Sequence, residues 1–508
     1  MNSMLETKPP VFASWGRNWR RLLPLVLALL FFITMFLFFP FRERFEFDVD
    51  EGYEGMKALL LARGHPLYTE TWSDQPPLFT NMLAVVIRFF GADINAARVL
   101  VLLFSAALLA IAAWILGTAW GGWHALAGVL LIFLLPYYTT LSVSVMVAVP
   151  LMTFAMFSLL ALLVWHERHQ ELWLVLSALA LVLAVFTKLF TVFLAPIFVL
   201  GLLLDERAKL GKGHSWLNIL RPALIWGITF TLITFVAGAI LVGPTGIKEV
   251  LGIHLSAPIN KAYLNLIQSR PITYYLADSW SIIFLAAIGC HFVIPERRWT
   301  AYYLLAWSVL AFIMLFFYAP VWYHHQLLIT LPAAMLAGIA VGEALCSLPQ
   351  IVRARPFLNR QAIFTLSTLA GLFFTLITRL PATLPDFDRP PVYITKAAHA
   401  PWAGQMFLTK MTNHAPKTNW VVTTLTMYAF RTGLSVPPAL AVPSFKRIGN
   451  GELTEEQIIA IVDEYKPEQV LLQEGEFPLL EEHLMAGYRL LLDDRKKLLY
   501  LRNDLKGQ

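Results

Sequence analysis

Residues 22–53, LLPLVLALLFFITMFLFFPFRERFEFDVDEGY, place a long apolar run directly before an acidic loop. The apolar part, residues 22–40, has about the 20-residue length that a helix needs to cross a membrane. Arginines precede it, and the FRER sequence that follows contains none of the small residues of a signal-peptide cleavage site. The stretch therefore predicts a retained first transmembrane helix with residues 1–21 in the cytoplasm (Arg17, Arg20 and Arg21 before the run).

The composition supports a membrane protein. Of the 508 residues, 58% are hydrophobic and 14% are charged, whereas soluble domains have roughly 45–50% apolar and about 25% charged residues. The net charge of +6 is typical of the positive-inside bias of membrane loops. No basic run with interleaved aromatic residues indicates nucleic-acid binding. Cys290 and Cys346 are too far apart for a metal-binding spacing and are interpreted as small core residues.

Eleven apolar segments are candidate spans, and the basic clusters between them predict the orientation. An odd number of spans places every basic cluster in the cytoplasm, and it places the acidic loop (residues 41–96) and all residues after 381 outside a plasma membrane. The predicted spans are 22–40, 97–117, 122–138, 145–165, 172–187, 188–204, 221–243, 276–294, 300–318, 326–342 and 361–380. The other cytoplasmic clusters are Arg207/Lys209/Lys212, Arg297/Arg298 and Arg353/Arg355/Arg360.

Two regions outside the spans have their own structure. Pro77–Phe90 is apolar but short for a span, so we interpret it as a juxtamembrane or re-entrant helix. Residues 381–508 predict a proline-marked linker and an external soluble α/β domain. In that domain we expect strands over Trp420–Met427, Gln469–Gln473 and Leu498–Arg502. We also expect a helix over Leu453–Tyr465, capped by Thr454 with Gln457 three residues later.

The acidic loop contains three candidate catalytic carboxylates, Asp48, Asp50 and Glu51. Asp50 is placed as the N-cap of a helix from Glu51 to Arg63, which Gly64 would terminate. The spacing of its apolar residues predicts an amphipathic helix in the membrane interface. The alternative interpretation is structural, with Asp50 only a cap and Asp48 only a solvated acid.

Other polar residues occur where an apolar environment makes them costly. Lys188 lies inside an apolar run and needs an anionic partner or a water-filled cavity. A lipid phosphate would satisfy it, although the ammonium could also extend to the headgroups. Tyr323, His324 and His325 lie at the start of a late span, where interfacial hydrogen bonding is the competing explanation.

These residue types fit glycosyl transfer from a lipid phosphate. A carboxylate can take the proton of the acceptor, and cations can stabilise the departing phosphate. A cap position lowers the basicity of a carboxylate. Either Asp50 is then a weak base, which an oxocarbenium-like step tolerates, or Asp48 or Glu51 shares its role.

At these residues the chain resembles the GT-C glycosyltransferases related to protein O-mannosyltransferases and to the aminoarabinose transferases that modify lipid A. The resemblance covers roughly residues 20–345, and the soluble C-terminal domain is similar to that of many bacterial members. The order and spacing of the matching motifs are more specific than any one of them. The matches are Asp50-Glu51, Gln75-Pro76-Pro77, Arg98, Thr187-Lys188 and the segment from His324 to Pro332.

The resemblance implies a polytopic α-helical GT-C fold, a polyprenyl-phosphate sugar donor and inversion at the sugar with Asp50 as the base. Donor phosphate binding is expected at Lys188, Arg98, His324, His325, Gln75 and Tyr323. Gln75 replaces a lysine of the aminoarabinose branch. Val149-Pro150 stands where many members have an acid before the proline, which favours a metal-independent enzyme without a cofactor. The sugar and the acceptor, whether protein, lipid or glycan, stay open.

Three other functions compete with a transferase. A transporter or flippase for a lipid-linked or anionic substrate has the same composition, but it often contains internal repeats, and none is visible here. A polysaccharide polymerase or ligase typically centres on a large late external loop, whereas the acids here lie in the first loop. A receptor or scaffold gives no reason for Lys188 and the acidic cluster.

Overall fold

The computed structural model describes residues 17–210, 216–255, 270–293, 299–353, 360–384, 403–449 and 451–505. Its membrane part consists of helices joined by short turns and 3₁₀ segments. The helices are α1 Arg17–Phe38, α2 Val49–Ala62, α3 Leu78–Phe90, α4 Ile94–Ala119, α5 Gly122–Phe133, α6 Tyr138–Leu141, α7 Ala148–Arg168, α8 Glu171–Thr187, α9 Leu194–Leu210, α10 Trp216–Leu241, α11 Gly243–Leu255, α12 Ile272–Leu276, α13 Trp280–Val293, α14 Trp299–Phe317, α15 Leu327–Arg353 and α16 Arg360–Thr383.

The chain is a multi-pass membrane protein, as the sequence predicts. Eight helices among the described residues are long and apolar enough to cross a membrane, and each overlaps a predicted span. The three other predicted spans correspond to the shorter apolar helices 22–38, 122–133 and 171–187. The orientation stays a prediction, because the length and composition of the helices do not tell which side of a membrane each loop faces. Four of the basic residues also lie outside the described residues (Lys212, Arg297, Arg298 and Arg355).

The helix α15 lies at the centre of the bundle and contacts α5, α13, α14 and α16. Its span is buried almost throughout, whereas α10 has an almost entirely exposed apolar surface, as expected for a helix that faces lipid. Close helix approach in membranes relies on small residues. At Gly338 an added Cβ would lie 2.6 Å from the Cα of Gly128, so α15 and α5 pack backbone against backbone.

The loop helix α2 differs from its prediction in two respects. It begins two residues earlier, at Val49, because Asp48 is the N-cap and its carboxylate accepts the backbone N–H of Asp50. Asp50 is therefore a first-turn residue rather than the cap. Residues 51–60 are all buried, so α2 is an internal helix and not the amphipathic interfacial helix that we expected. Gly64 follows it with a φ of 100°, a conformation that favours glycine.

The C-terminal domain is a small α/β unit around a four-stranded sheet in the order β1-β2-β4-β3. β1 and β2 are parallel, and the other two pairs are antiparallel. The strands are β1 Val421–Thr423, β2 Gln469–Gln473, β3 Tyr488–Asp494 and β4 Lys497–Arg502. The helices are α17 Ala403–His414, α18 Thr426–Arg431, α19 Phe445–Gly449, α20 Glu455–Tyr465 and α21 Pro478–Gly487.

The sequence predicted most of this domain but not all of it. The helix α20, the Thr454 cap and the reciprocal Gln457 contact are confirmed. The predicted strand over Trp420–Met427 is only β1, because the chain turns into α18 at Thr426, and β3 was missed. Pro381 lies inside α16 rather than in a linker. The remaining linker prolines lie outside the described residues (Pro385, Pro390 and Pro391).

The C-terminal domain docks on the acidic loop through α18. Arg431 donates to the backbone carbonyls of Arg44 and Phe45, each at 2.7 Å. Two glycines of α2 let the helices approach. A Cβ on Gly52 would lie 2.6 Å from the Thr426 hydroxyl, and one on Gly55 would lie 3.1 Å from the ring of Phe430. The first loop is thus enclosed between the bundle and the soluble domain.

Candidate active site

A cavity of about 300 Å³ lies where the first loop, the helix break after α8, the segment before α15 and the C-terminal domain meet. Most of the predicted site residues line it. They are Asp48, Asp50, Gln75, Lys188, Tyr323, His324 and His325. The structure therefore brings the acidic loop and the lone ammonium of the apolar run into one chamber.

Lys188 reaches the cavity because the helical chain breaks there. Its backbone is extended, with φ −155° and ψ 128°, between the end of α8 and a 3₁₀ turn over Leu189–Phe193. The Thr191 hydroxyl donates to the Lys188 carbonyl at 2.9 Å and so stabilises the break. The Lys188 Nζ lies 3.5 Å from Nε2 of His324 and 3.3 Å from Nε2 of His325.

The two histidines lie on a second 3₁₀ turn, Tyr323–Gln326, which leads into α15. Nδ1 of His325 accepts the backbone N–H of Trp322 at 3.2 Å, and a neutral imidazole that accepts at Nδ1 carries its proton on Nε2. That N–H and the Lys188 ammonium are both donors, and their nitrogens lie 3.3 Å apart. Converging donors form a site for an anionic oxygen.

Asp48 and Asp50 occupy different environments in the same chamber. The Asp48 carboxylate accepts the Asp50 N–H and the Tyr323 hydroxyl, each at 3.0 Å. Within the described residues, the Asp50 side chain has no hydrogen-bond partner. Burial, reinforced by the charge of Asp48 and opposed by that of Lys188, raises the pKa of Asp50 to about 8. Burial also raises the pKa of Asp48. Asp50 is thus the carboxylate free to take a proton.

Glu51 and Arg98 do not line the cavity, although they were predicted as a carboxylate that shares the role of the base and as a phosphate ligand. Both side chains are fully buried and joined at 2.6 Å and 3.1 Å. Glu51 also accepts the N–H groups of Phe47 and Val145. The hydrogen-bonding groups of Glu51 and Arg98 are used in contacts within the protein. The pair therefore holds the first loop in place and is not positioned to touch a substrate.

The cavity contains polar residues that sequence reasoning missed. Glu54 and Lys57 form an ion pair of 2.8 Å, and Thr80 donates to Glu54 at 3.1 Å. Their spacing of four and seven residues from Asp50 puts them on the same helix face, which was an available signal. Asp74 lies beside Gln75. The C-terminal domain adds Val442, Ser444 and Lys446, whose place in the cavity no local sequence pattern predicts.

A narrow apolar crevice of about 10 Å³ adjoins the cavity at Lys188. It shares Lys188, Phe190, His324 and His325 with the chamber and continues between apolar residues of α7 and α15 (Ala148, Leu151, Met152, Leu327 and Leu328). An anion site that opens onto apolar side chains suits a ligand with a charged head and a hydrocarbon tail. The described residues contain no cluster of three or more metal-ligating side chains.

The comparisons with known proteins agree with this architecture. Residues 74–232 match the family model for dolichyl-phosphate-mannose-protein mannosyltransferase. ArnT from Cupriavidus metallidurans, solved with undecaprenyl phosphate, matches at a TM-score of 0.57 and 14% identity over 96% of this chain and 98% of its own. The oligosaccharyltransferase AglB from Archaeoglobus fulgidus, solved with an inhibitory peptide and a dolichol-phosphate, matches at 0.55 and 12% over 97% of this chain and 75% of its own. Curated proteins give no significant match.

Proposed function

Because the chain has the GT-C fold of the protein O-mannosyltransferase and ArnT-like glycosyltransferases, we propose that it transfers a sugar from a polyprenyl phosphate to an acceptor with inversion. The observation that carries this proposal is the shared chamber. A carboxylate with a raised pKa, Asp50, faces the same cavity as the Lys188 ammonium. A base and an anion site in one cavity are the two elements that glycosyl transfer from a phosphate requires.

Each proton and electron pair in the reaction has a place. Asp50 takes the proton of the acceptor hydroxyl, and the acceptor oxygen attacks the anomeric carbon of the sugar. The bond between that carbon and the phosphate oxygen breaks on the opposite face, and its electron pair leaves with the phosphate. Lys188 and the Nε2–H of His325 stabilise the charge that develops on the phosphate. The products are an inverted glycoside and the free polyprenyl phosphate.

The pKa of Asp50 suits this role. A general base works best when its pKa lies near the working pH, and an ordinary aspartate is too weak a base for that. The value of about 8 gives Asp50 the strength that a solvated loop acid lacks. Asp48 supports it by capping α2 and by holding Tyr323, so the base does not also serve as the cap.

The residues around Lys188 favour a donor with an apolar tail. We propose that the phosphate binds at the lysine and the histidines and that the first isoprene units lie along the apolar residues of α7 and α15, which have to move apart because the crevice between them measures only about 10 Å³. The proposed topology places the N-terminus in the cytoplasm and the cavity and the soluble domain outside the plasma membrane. The proposed steps use only the Asp50 carboxylate, the Lys188 ammonium and the His325 imidazole. We therefore propose a metal-independent reaction, in which EDTA leaves the transfer rate unchanged.

The test is sugar transfer by the purified full-length protein in vesicles that contain an undecaprenyl-phosphate sugar. Asp50→Asn should lower the rate at least about 100-fold, since general-base catalysis contributes a factor of 10² to 10⁴. The exposed Asp493→Asn variant is the matched control. Lys188→Met should weaken binding of undecaprenyl phosphate. Normal turnover by Asp50→Asn would contradict the proposal.

The same assay separates a transferase from a flippase. A flippase moves the intact lipid-linked sugar across the bilayer, whereas a transferase releases free undecaprenyl phosphate. Mass spectrometry of the vesicle lipids distinguishes the intact donor from free undecaprenyl phosphate, and a membrane-impermeant reagent that reacts with the sugar measures which leaflet holds the intact donor. An intact donor that only changes leaflet would favour the flippase.

A further inference from the structure

The C-terminal domain contributes a cation to the cavity that the mechanism above does not use. Lys446 lies on the short helix α19, is half-buried and lines the chamber. Within the described residues, its ammonium makes no hydrogen bond or ion pair. Lys57 of α2 also lines this cavity, but its charge is neutralised by Glu54 at 2.8 Å. Lys446 is therefore available to a ligand.

The electrostatic neighbours of Lys446 indicate which ligand group it serves. Its charge acts on Lys188 and on the exposed Glu452 of its own domain. Lys446 therefore lies close enough to Lys188 for the two charges to repel each other in the shared chamber, and an anionic group between them would relieve that repulsion.

Building on the proposed function, we infer that Lys446 binds the donor phosphate together with Lys188, so that the soluble domain completes the leaving-group site. The charge balance gives the reason. The donor phosphodiester carries one negative charge, and the phosphomonoester released when the sugar–oxygen bond breaks carries close to two. A second ammonium compensates the charge that appears only during the reaction, which stabilises the transition state more than the ground state.

Gln75 provides an internal control for this inference. It lines the same cavity and is uncharged. A lysine at position 75 would add one ammonium to the chamber without touching the C-terminal domain. If Lys446 acts through its charge, that second change should compensate for its loss.

The experiment measures undecaprenyl phosphate binding and sugar transfer by the full-length protein in nanodiscs. Lys446→Met should weaken undecaprenyl phosphate binding roughly 10- to 100-fold, the range for a hydrogen bond to a charged group, and should lower kcat. Lys446→Arg and the double variant Lys446→Met/Gln75→Lys should recover most of the loss. The exposed Lys410→Met variant in the same domain should match the wild type.

The outcomes separate this inference from the proposed function. If Lys188→Met weakens binding but Lys446→Met equals Lys410→Met, the role of Lys446 is refuted and the function stands. If Lys446→Met changes only the KM for the acceptor, Lys446 binds the acceptor and the inference fails. If neither lysine affects undecaprenyl phosphate binding, the donor site itself is wrong.

Discussion

The buried pair of Glu51 and Arg98 allows the sharpest test of how the first loop is built. Glu51 accepts four hydrogen bonds, two from Arg98 and one each from the backbone of Phe47 and Val145. In Glu51→Gln, one side-chain oxygen becomes an NH₂ donor. Whichever way the amide is turned, that group faces two other donors, so two of the four contacts become repulsive.

The expected cost follows from the burial of the charges. Both side chains have no exposed surface, and removing one partner of a buried ion pair costs about 3–5 kcal/mol. Glu51→Gln should therefore lower the free energy of unfolding by about that amount, as measured by denaturant titration in detergent. Replacing both residues, as Glu51→Leu/Arg98→Met, should cost less than Glu51→Gln, because no charge is then left alone.

The activity of the folded fraction decides between a structural and a chemical role. At a temperature where Glu51→Gln is still folded, its pH–rate profile should have the same midpoint as the wild type, since Glu51 does not touch the cavity. The exposed Asp493→Asn variant controls for the loss of a carboxylate. Wild-type stability combined with a large loss of kcat would refute the structural role and return Glu51 to the catalytic residues.

Two other predictions concern α2. Because Asp48 raises the pKa of Asp50, Asp48→Asn should keep the cap and lower that pKa by about one unit. The rate then rises with pH at a lower midpoint than the wild-type value near 8, and an unmoved midpoint in the pH–rate profile would exclude Asp50 as the titrating base. Gly52→Ala should lower the melting temperature despite the better helix propensity of alanine, since its Cβ would lie 2.8 Å from the Met427 backbone nitrogen. Gly227→Ala, with open space around it, is the control, and equal melting temperatures would show that α18 yields freely.

The helical membrane fold was predictable because lipid leaves the backbone few choices. An apolar run of about 20 residues has to satisfy its hydrogen bonds internally, so it forms a helix, and each predicted span lies on one. The boundaries moved by several residues because caps and turns set them locally. The predicted span 326–342, for example, extends as α15 to Arg353, and Pro349 lies inside the helix rather than ending it.

The burial of α2 was not predictable, because it depends on residues almost 400 positions away. Its own sequence has polar residues at Glu54 and Lys57, which indicate a solvent-exposed face. The structure instead pairs these two residues and covers the helix with α18. A helix with one apolar and one polar face is predicted to lie in the membrane interface unless the partners of its polar side chains are known.

The sequence predicted those site residues whose charge is energetically costly in the apolar sequence around them. Lys188 stands out inside an apolar run, and this cost pointed correctly to the cavity. Glu51 and Arg98 were predicted to act on the substrate because a buried ion pair and a substrate-binding pair look alike in sequence. They are 47 positions apart, and only the folded chain shows that they satisfy each other.

The placement of the soluble domain links the fold to the strength of the base. On a solvated loop, Asp50 would have a pKa near its ordinary 3.8, and burial is the largest cause of its rise to about 8. Val442 and Ser444 of the C-terminal domain form part of the wall around it, so the docked domain contributes to that burial. A weak carboxylate would not take a proton from a hydroxyl at neutral pH. We therefore expect Asp50 to be a competent base only while the soluble domain is docked on the first loop. Without the docked domain Asp50 would be too weak a base to activate water, so the lipid-linked sugar would not be hydrolysed.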